Sequence, residues 1–148
     1  MTSIVESVAP LLRSLVGTHV RLELDVAPDS FVEVDPAQIE QVLVNLTLNA
    51  RDSMVGGGVL IIRTVRESDT SIRLEVIDSG EGMSEEILAR ALEPFYTTKP
   101  FGEGTGLGLP TVLGVIEQSG GTFSLTSRPG EGTCASIVFP TVEAQLAA

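Results

Sequence analysis

Two spacings of apolar residues run through the chain, and the places where one gives way to the other mark its elements. Residues 3–16 (SIVESVAPLLRSLV) set Ile4, Val8, Leu11, Leu12 and Leu15 at helical spacing. Pro10 predicts a break or kink there, since proline lacks an N–H and its ring crowds the preceding turn. Residues 19–26 (HVRLELDV) change to period two. Val20, Leu22, Leu24 and Val26 share one face and Arg21, Glu23 and Asp25 the other, the pattern of a half-buried strand. Residues 31–34 (FVEV) predict a further short strand.

Asp35-Pro36 then opens a helix. Asp35 is a good N-cap, Pro36 suits the first helical position and Gln38 can close a capping box. The helix is expected to run to about Val55 and to stop at Gly56-Gly57-Gly58. Residues 59–66 and 71–78 read as two strands around the turn Ser68-Asp69-Thr70. Ser84-Glu85-Glu86 caps a short helix to about Leu92. A glycine-rich stretch leads into another helix, which ends at Gly120-Gly121. Strands over 122–128 and 133–139 flank the turn Pro129-Gly130-Glu131-Gly132, and the tail after Pro140 looks loose. There is no internal repeat and no linker, so the pattern is that of one α/β sandwich.

Within the long helix, QIEQVLVNLTLNARDSM (38–54) puts Ile39, Val42, Leu43, Leu46, Ala50 and Met54 on one apolar stripe. Asn45, Asn49 and Asp52 fall beside it within an arc of about 60°. These are poor mid-helix residues, because their side chains compete for the backbone. A solvated face is one reading. The other is a polar cluster that holds an ion or ligand, with carboxamide oxygen suited to the hard cation Mg²⁺. On the strand SIRLEVID, Asp78 shares the face of Ile72, Leu74 and Val76, and a carboxylate aimed inward needs a partner. Ser79-Gly80-Glu81-Gly82 follows, where two glycines permit close approach, although an Asx-type turn is the common alternative. Thr133 shares a face with Ala135, Ile137 and Phe139, so a second polar group points inward at a strand end. Together they suggest a lined pocket.

EPFYTTKPFGEGTGLGL (93–109) is neither a Walker loop nor a G-x-G-x-x-G turn. It is a loop that runs into a helix starting near Thr105–Leu109, and a helix N-terminus with approachable amides can cradle phosphate. Lys99 adds a movable charge. Phe95, Tyr96 and Phe101 are costly in a purely solvated loop.

Charge narrows the possibilities. The chain of 148 residues carries a net charge of −11 and no Lys/Arg cluster, which argues against nucleic acid as a partner. An anionic ligand then needs a metal or a local cation. The one cysteine, Cys134, excludes an internal disulfide and reads as a small buried apolar residue. No apolar run is long enough to span a bilayer, so a cytoplasmic chain or fragment without direct membrane contact is expected.

The order of the asparagine helix, DSGEGM, EPFYTTKPFGEGTGLGL and SRPGEGTCASIVFP resembles the ATP-binding catalytic domain of bacterial sensor histidine kinases. These belong to the gyrase, heat-shock-chaperone, kinase and MutL (GHKL) superfamily, and the nitrogen-regulatory and hybrid-kinase branch is the most similar. The resemblance covers about residues 18–140. It implies an α+β fold of the Bergerat type: a two-layer sandwich with a mixed, mostly antiparallel sheet and helices on one face. It divides the chain into a linker or N-terminal helix (1–17), the catalytic domain (18–141) and a tail (142–148).

By the same resemblance Asn49 ligates Mg²⁺ and Asn45 is the earlier asparagine of its box, with Asp52 alongside. Asp78 accepts from the adenine amino group. Gly80, Gly82 and Met83 shape the adenine pocket, and Thr133 stands beside the aspartate. Residues 94–106 match the mobile ATP lid, with Tyr96, Thr98 and Lys99 near the nucleotide. Gly104, Thr105, Gly106, Leu107 and Gly108 match the phosphate-contacting segment. Pro110 departs from the pattern, since a small serine or alanine is usual there; it is tolerated in a first helical turn.

The only histidine, His19, sits at a strand start and lacks the phosphoacceptor context. The implied partners are therefore a separate dimerisation and histidine-phosphotransfer domain and a downstream response-regulator receiver domain, with the fragment itself monomeric. The alternatives are an ATP hydrolase or switch of the same superfamily and a nucleotide-free interaction domain. Against hydrolysis, Asn45 stands where the hydrolases carry a glutamate that activates water.

Overall fold

In the computed structural model, residues 1–28, 31–94, 96 and 108–142 are described. The chain forms α1 (Thr2–Val16), β1 (Val20–Val26), α2 (Pro36–Ser53), β2 (Gly58–Ser68) and β3 (Ser71–Asp78). Then come α3 (Glu85–Arg90), α4 (Gly108–Gln118), β4 (Thr122–Ser127) and β5 (Thr133–Pro140). The strands make one sheet in the order β1-β2-β3-β5-β4. Only β1 and β2 run parallel; the other three pairings are antiparallel. A parallel pair needs a crossover, and α2 supplies it. The expected mixed, mostly antiparallel sheet is the one observed.

Period two sorts the sheet into two faces. Leu22, Leu60, Ile62, Leu74, Val76, Ala135, Ile137 and Phe139 are buried on the helix side. There α1 packs on α2, α2 on α4, and the layer rests on β1, β3 and β4. The opposite face carries Arg21, Arg63, Arg73 and Glu75, with Arg63 Nε bonded across β1 to Asp25 Oδ2 at 3.1 Å. Each fully buried aliphatic or aromatic side chain contributes about 1.5–3 kcal/mol, so the one-sided core carries the fold.

Four sequence expectations change. First, α1 runs unbroken through Pro10. Glu6 and Pro10 are both exposed, so water can serve the carbonyl that loses its N–H partner, while Val8, Ala9 and Leu12 hold the flanks in the core. Second, α1 buries Val5, Val8, Ala9, Leu12 and Val16, whereas Leu11 is exposed and Ile4 and Leu15 are half-buried. The apolar arc is wider than one stripe, and packing on α2 selects the side used. Third, residues 31–34 form no ladder. Val32 and Val34 pack against the core as the chain passes, and Phe31 O accepts from Val142 N at 2.8 Å. Alternating exposure there reflects passage over the core, not pairing. Fourth, Cys134 lies on the open face of the sheet, half-buried, with Sγ 3.4 Å from Glu75 Oε2. Burial, followed by the bond to Glu75, pushes its thiol up to about 11, so it stays protonated at neutral pH.

At the start of α2, Asp35 Oδ1 accepts from Ala37 N at 3.0 Å, and Pro36 opens the helix. No bond from the Gln38 side chain completes a capping box among the described residues. The cap therefore rests on Asp35. Asp35→Ala is expected to cost about 1 kcal/mol, read as a lower urea midpoint with an unchanged slope.

Candidate functional site

The last residue of β3, Asp78, faces the helix layer opposite Thr133 of β5. Its Oδ1 accepts from Gly80 N at 2.9 Å and Thr133 N at 3.2 Å. Ser53 Oγ, at the end of α2, lies 3.4 Å away while donating to Ala50 O at 2.8 Å. Burial raises the pKa of Asp78, and the bonds from Gly80, Thr133 and Ser53 oppose the rise. One carboxylate oxygen is thus engaged by the protein. The other has no partner among the described residues.

The surrounding loops are tied tightly to this corner. Glu81 N donates to Ser53 O at 3.1 Å, and Gly130 N to Glu81 O at 2.7 Å. Met83 N donates to Ser127 Oγ at 2.8 Å. Gly82 and Gly132 hold φ values of +70° and +78°. A Cβ on Gly82 would strike Arg128 O, and one on Gly132 would strike Asp78 O. Both positions therefore require glycine for conformation and for space. Gly80 has an ordinary φ, but a Cβ there would strike Ser53. The expected Asp78, Gly80, Gly82, Met83 and Thr133 are brought together. Of these, Asp78 and Thr133 line a cleft of about 430 Å³ at the sheet end, with Leu125, Ser127 and Gly132 beside them, Leu88 from α3, and Ile77, Thr126 and Cys134 from the open face. A second cleft, of about 360 Å³, lies between Val32, Gln118 and Phe139, and among the described residues its one titratable lining group is Glu33.

From Ser53, α2 leads back to the asparagines. Asn45, Asn49 and Asp52 are half-buried on one side of the helix, as the spacing predicts. Asn45 Oδ1 accepts from Gln41 Nε2 at 3.1 Å, and Asp52 Oδ1 pairs with Arg51 Nη2 at 3.1 Å. The Asn49 carboxamide has no hydrogen-bond partner among the described residues. It faces the first turn of α4, where a Cβ on Gly108 would come 3.7 Å from Asn49 Nδ2. A neutral oxygen donor thus sits beside a helix N-terminus, which favours anions.

The described residues hold no group of three or more His, Cys, Asp or Glu able to seat a metal. A hard divalent cation carried in by phosphates and needing one protein oxygen fits Asn49; a caged metal does not. Arg90 Cζ lies over the Tyr96 ring, 4.3 Å from the ring centroid, and Arg90 also pairs with Glu93 at 3.0 Å. Thr98, Lys99, Gly104, Thr105, Gly106 and Leu107 lie outside the described residues.

Two residues of this corner went unnoticed in the sequence, Ser53 and Ser127. Ser53 follows Asp52 one turn after Asn49. Ser127 pairs with Thr133 across the closing hairpin, so period two alone places it on the same face.

Residues 34–143 match the family of histidine kinase-, DNA gyrase B- and HSP90-like ATPases, and the chain belongs to that family. It is 38% identical to the sensor kinase CckA of Brucella abortus, over 95% of this chain and 16% of that protein. It is 41% identical to sporulation kinase A of Bacillus subtilis, over 74% of this chain and 18% of that one. For the sensor histidine kinase ZraS of Escherichia coli the figures are 38%, 78% and 24%. The chain thus spans less than a third of each of these relatives. In structure it matches the catalytic domain of the histidine kinase ThkA with a TM-score of 0.76 at 28% identity, covering 95% of this chain and 91% of that one. The mycobacterial sensor histidine kinase MprB gives 0.82 at 24% identity, covering 95% and 94%, a likeness of fold. The domain is of the ATP-binding catalytic class found in sensor histidine kinases. No helix of the described residues is long and apolar enough to cross a membrane.

Two outcomes follow from the corner. Because the folded pKa of Asp78 is raised, its contribution to stability is fully present below the ordinary carboxylate value, about 4, and is lost as pH rises through the folded value. Asp78→Asn keeps an oxygen for both amides and removes the buried charge. Its urea midpoint should exceed that of the parent at pH 7, with the gap closing as the solution is acidified below pH 4. Gly132→Ala forces both a strained φ and a clash with the Asp78 carbonyl, and should lose about 1 kcal/mol or more by the same assay.

Proposed function

We propose that this domain binds Mg·ATP and passes the γ-phosphate to a histidine on a separate dimerisation and phosphotransfer domain, from which a response-regulator receiver domain is then phosphorylated. The observation that carries this reading is the half-engaged Asp78. One oxygen is fixed by two backbone amides, and the other is left to accept from an exocyclic amino group. Gly80, Gly82, Met83 and Thr133 frame the base, and α2 leads from that corner to Asn49. There the carboxamide oxygen would hold Mg²⁺ beside the first turn of α4, with Asn45 and Asp52 flanking it. When bound, Mg²⁺ supplies charge neutralisation between the phosphates and a domain of net charge −11.

Lys99 is the only lysine of the chain, and together with Tyr96, Thr98 and the segment Gly104, Thr105, Gly106, Leu107 and Gly108 it is assigned to the phosphates. Phosphoryl transfer asks for positioning and electrostatic support rather than covalent help. The accepting imidazole nitrogen is already nucleophilic when neutral, so the ATP side needs no strong base. Asn45 fits that economy. Its carbonyl oxygen is taken by Gln41, and an amide cannot remove a proton from water. Hydrolysis in the manner of the gyrase and chaperone branches is therefore disfavoured.

Calorimetry with ATP and ADP, with and without Mg²⁺, tests this directly. Binding strengthened by Mg²⁺, with negligible phosphate release afterwards, is expected. Absence of binding in every condition would eliminate the proposal. Asp78→Ala should weaken ATP by at least about tenfold, the scale of one charge-assisted hydrogen bond. Asn49→Ala should flatten the Mg²⁺ dependence, and the same Mg²⁺ effect in both proteins would remove Asn49 from the metal.

A further inference from the structure

Few hydrogen-bond donors remain free around Asp78. Gly80 N–H and Thr133 N–H both serve Oδ1. Ser79 N–H goes to Val59 O at 3.2 Å and Glu81 N–H to Ser53 O. Met83 N–H goes to Ser127 Oγ. The hydroxyl protons can be placed by counting. Ser127 has one, and Gly132 O, 2.8 Å from Ser127 Oγ, can only accept it. The 2.9 Å contact between Ser127 Oγ and Thr133 Oγ1 must then carry the threonine proton. Ser127 Oγ donates once and accepts twice, which exhausts a hydroxyl. Thr133 Oγ1, its proton directed away, turns only lone pairs to the cleft. Asp78 Oδ2 does the same.

We propose that Ser127 is the specificity-determining residue of this corner. By taking the Thr133 proton it makes Thr133 acceptor-only, so the corner favours a purine edge with an exocyclic amino group over one with a carbonyl in that place. This rests on the ATP-binding reading above. With Asp78 Oδ2 and Thr133 Oγ1 both set against the C6 substituent, an amino group gives each oxygen one of its two protons, whereas a carbonyl there meets two acceptors, an arrangement that binding sites reject. Ser127→Ala frees the Thr133 hydroxyl to rotate and donate.

The test is the ratio of affinities for ADP and inosine diphosphate, measured by calorimetry on the parent, Ser127→Ala, Ser127→Thr, Thr133→Val and the Ser127→Ala/Thr133→Val double variant. The parent should prefer ADP. Ser127→Ala should narrow the ratio by about three- to tenfold, the worth of one neutral hydrogen bond. Ser127→Thr should keep the parental ratio. In the Thr133→Val background, Ser127→Ala should leave the ratio unchanged. Equal weakening of both nucleotides in Ser127→Ala would overturn the inference and leave Ser127 as a tie between loops. Should Ser127→Ala fail to fold, Thr133→Val alone decides, because it deletes the opposing acceptor and should narrow the ratio; an unchanged ratio there refutes the idea. A parent that binds neither nucleotide would instead remove the ATP reading, and this inference with it.

Discussion

The site depends on one arrangement: a carboxylate on the core side of a sheet, held by two backbone N–H groups from different segments. Burial disfavours the ionised Asp78, and Gly80 N and Thr133 N offset part of that cost at one oxygen. That requirement reaches outward. It sets Thr133 directly opposite Asp78 in the β3–β5 ladder, and it brings the closing turn so near β3 that Gly132 tolerates no side chain. It also seats the end of α2 against the loop after β3, through Ser53.

The crossover helix does the rest. Because β1 and β2 are parallel, α2 must traverse the sheet between them, and its apolar stripe (Ile39, Val42, Leu43, Leu46, Ala50) locks its rotation. Rotation about the axis is what aims Asn45 and Asn49. Their carboxamides are directed by buried neighbours one residue away, and their polar cost in a helix is met by position, not by local preference. Where α2 ends, Arg51 Nη1 reaches Leu15 O at 3.4 Å, joining the helix to the end of α1.

Much of this was legible beforehand. The α2 stripe, the Asp35 cap, the inward faces of Asp78 and Thr133 and the hairpin around Gly130 all follow from periods and turn residues. The strand order does not, because periodicity names faces and never neighbours; the resemblance implies a mixed, mostly antiparallel sheet but no order within it. The break expected at Pro10 does not occur, because both ends of the interrupted bond face water. Of the α1 stripe only Leu11 is left exposed, because local pattern cannot say which of several apolar sides will be covered; FVEV forms no strand, because pattern cannot say whether an extended run finds a partner. The open-face position of Cys134 is implicit in the sequence: if Thr133 points inward, its neighbour points out. Ser53 and Ser127 give no signal of their own, because a serine carries no chemistry until its partners are known: Asp78 lies 25 residues from Ser53, and Ser127 joins Met83, 44 residues back, to Thr133 across its own hairpin.

The position of β5 has a consequence for how the molecule comes into being. It is the last strand of the sheet to be synthesised, yet it lies inside the sheet, between β3 and β4. Until residues 133–140 have emerged, β3 keeps an open edge, β4 has no ladder to join, and the Asp78 carboxylate lacks one of its two amides. A nascent chain can therefore assemble its helices and its first three strands without gaining a competent pocket. The corner around Asp78 is complete only when β5 takes its place between β3 and β4, so a partly made chain lacks the Thr133 amide that holds the carboxylate.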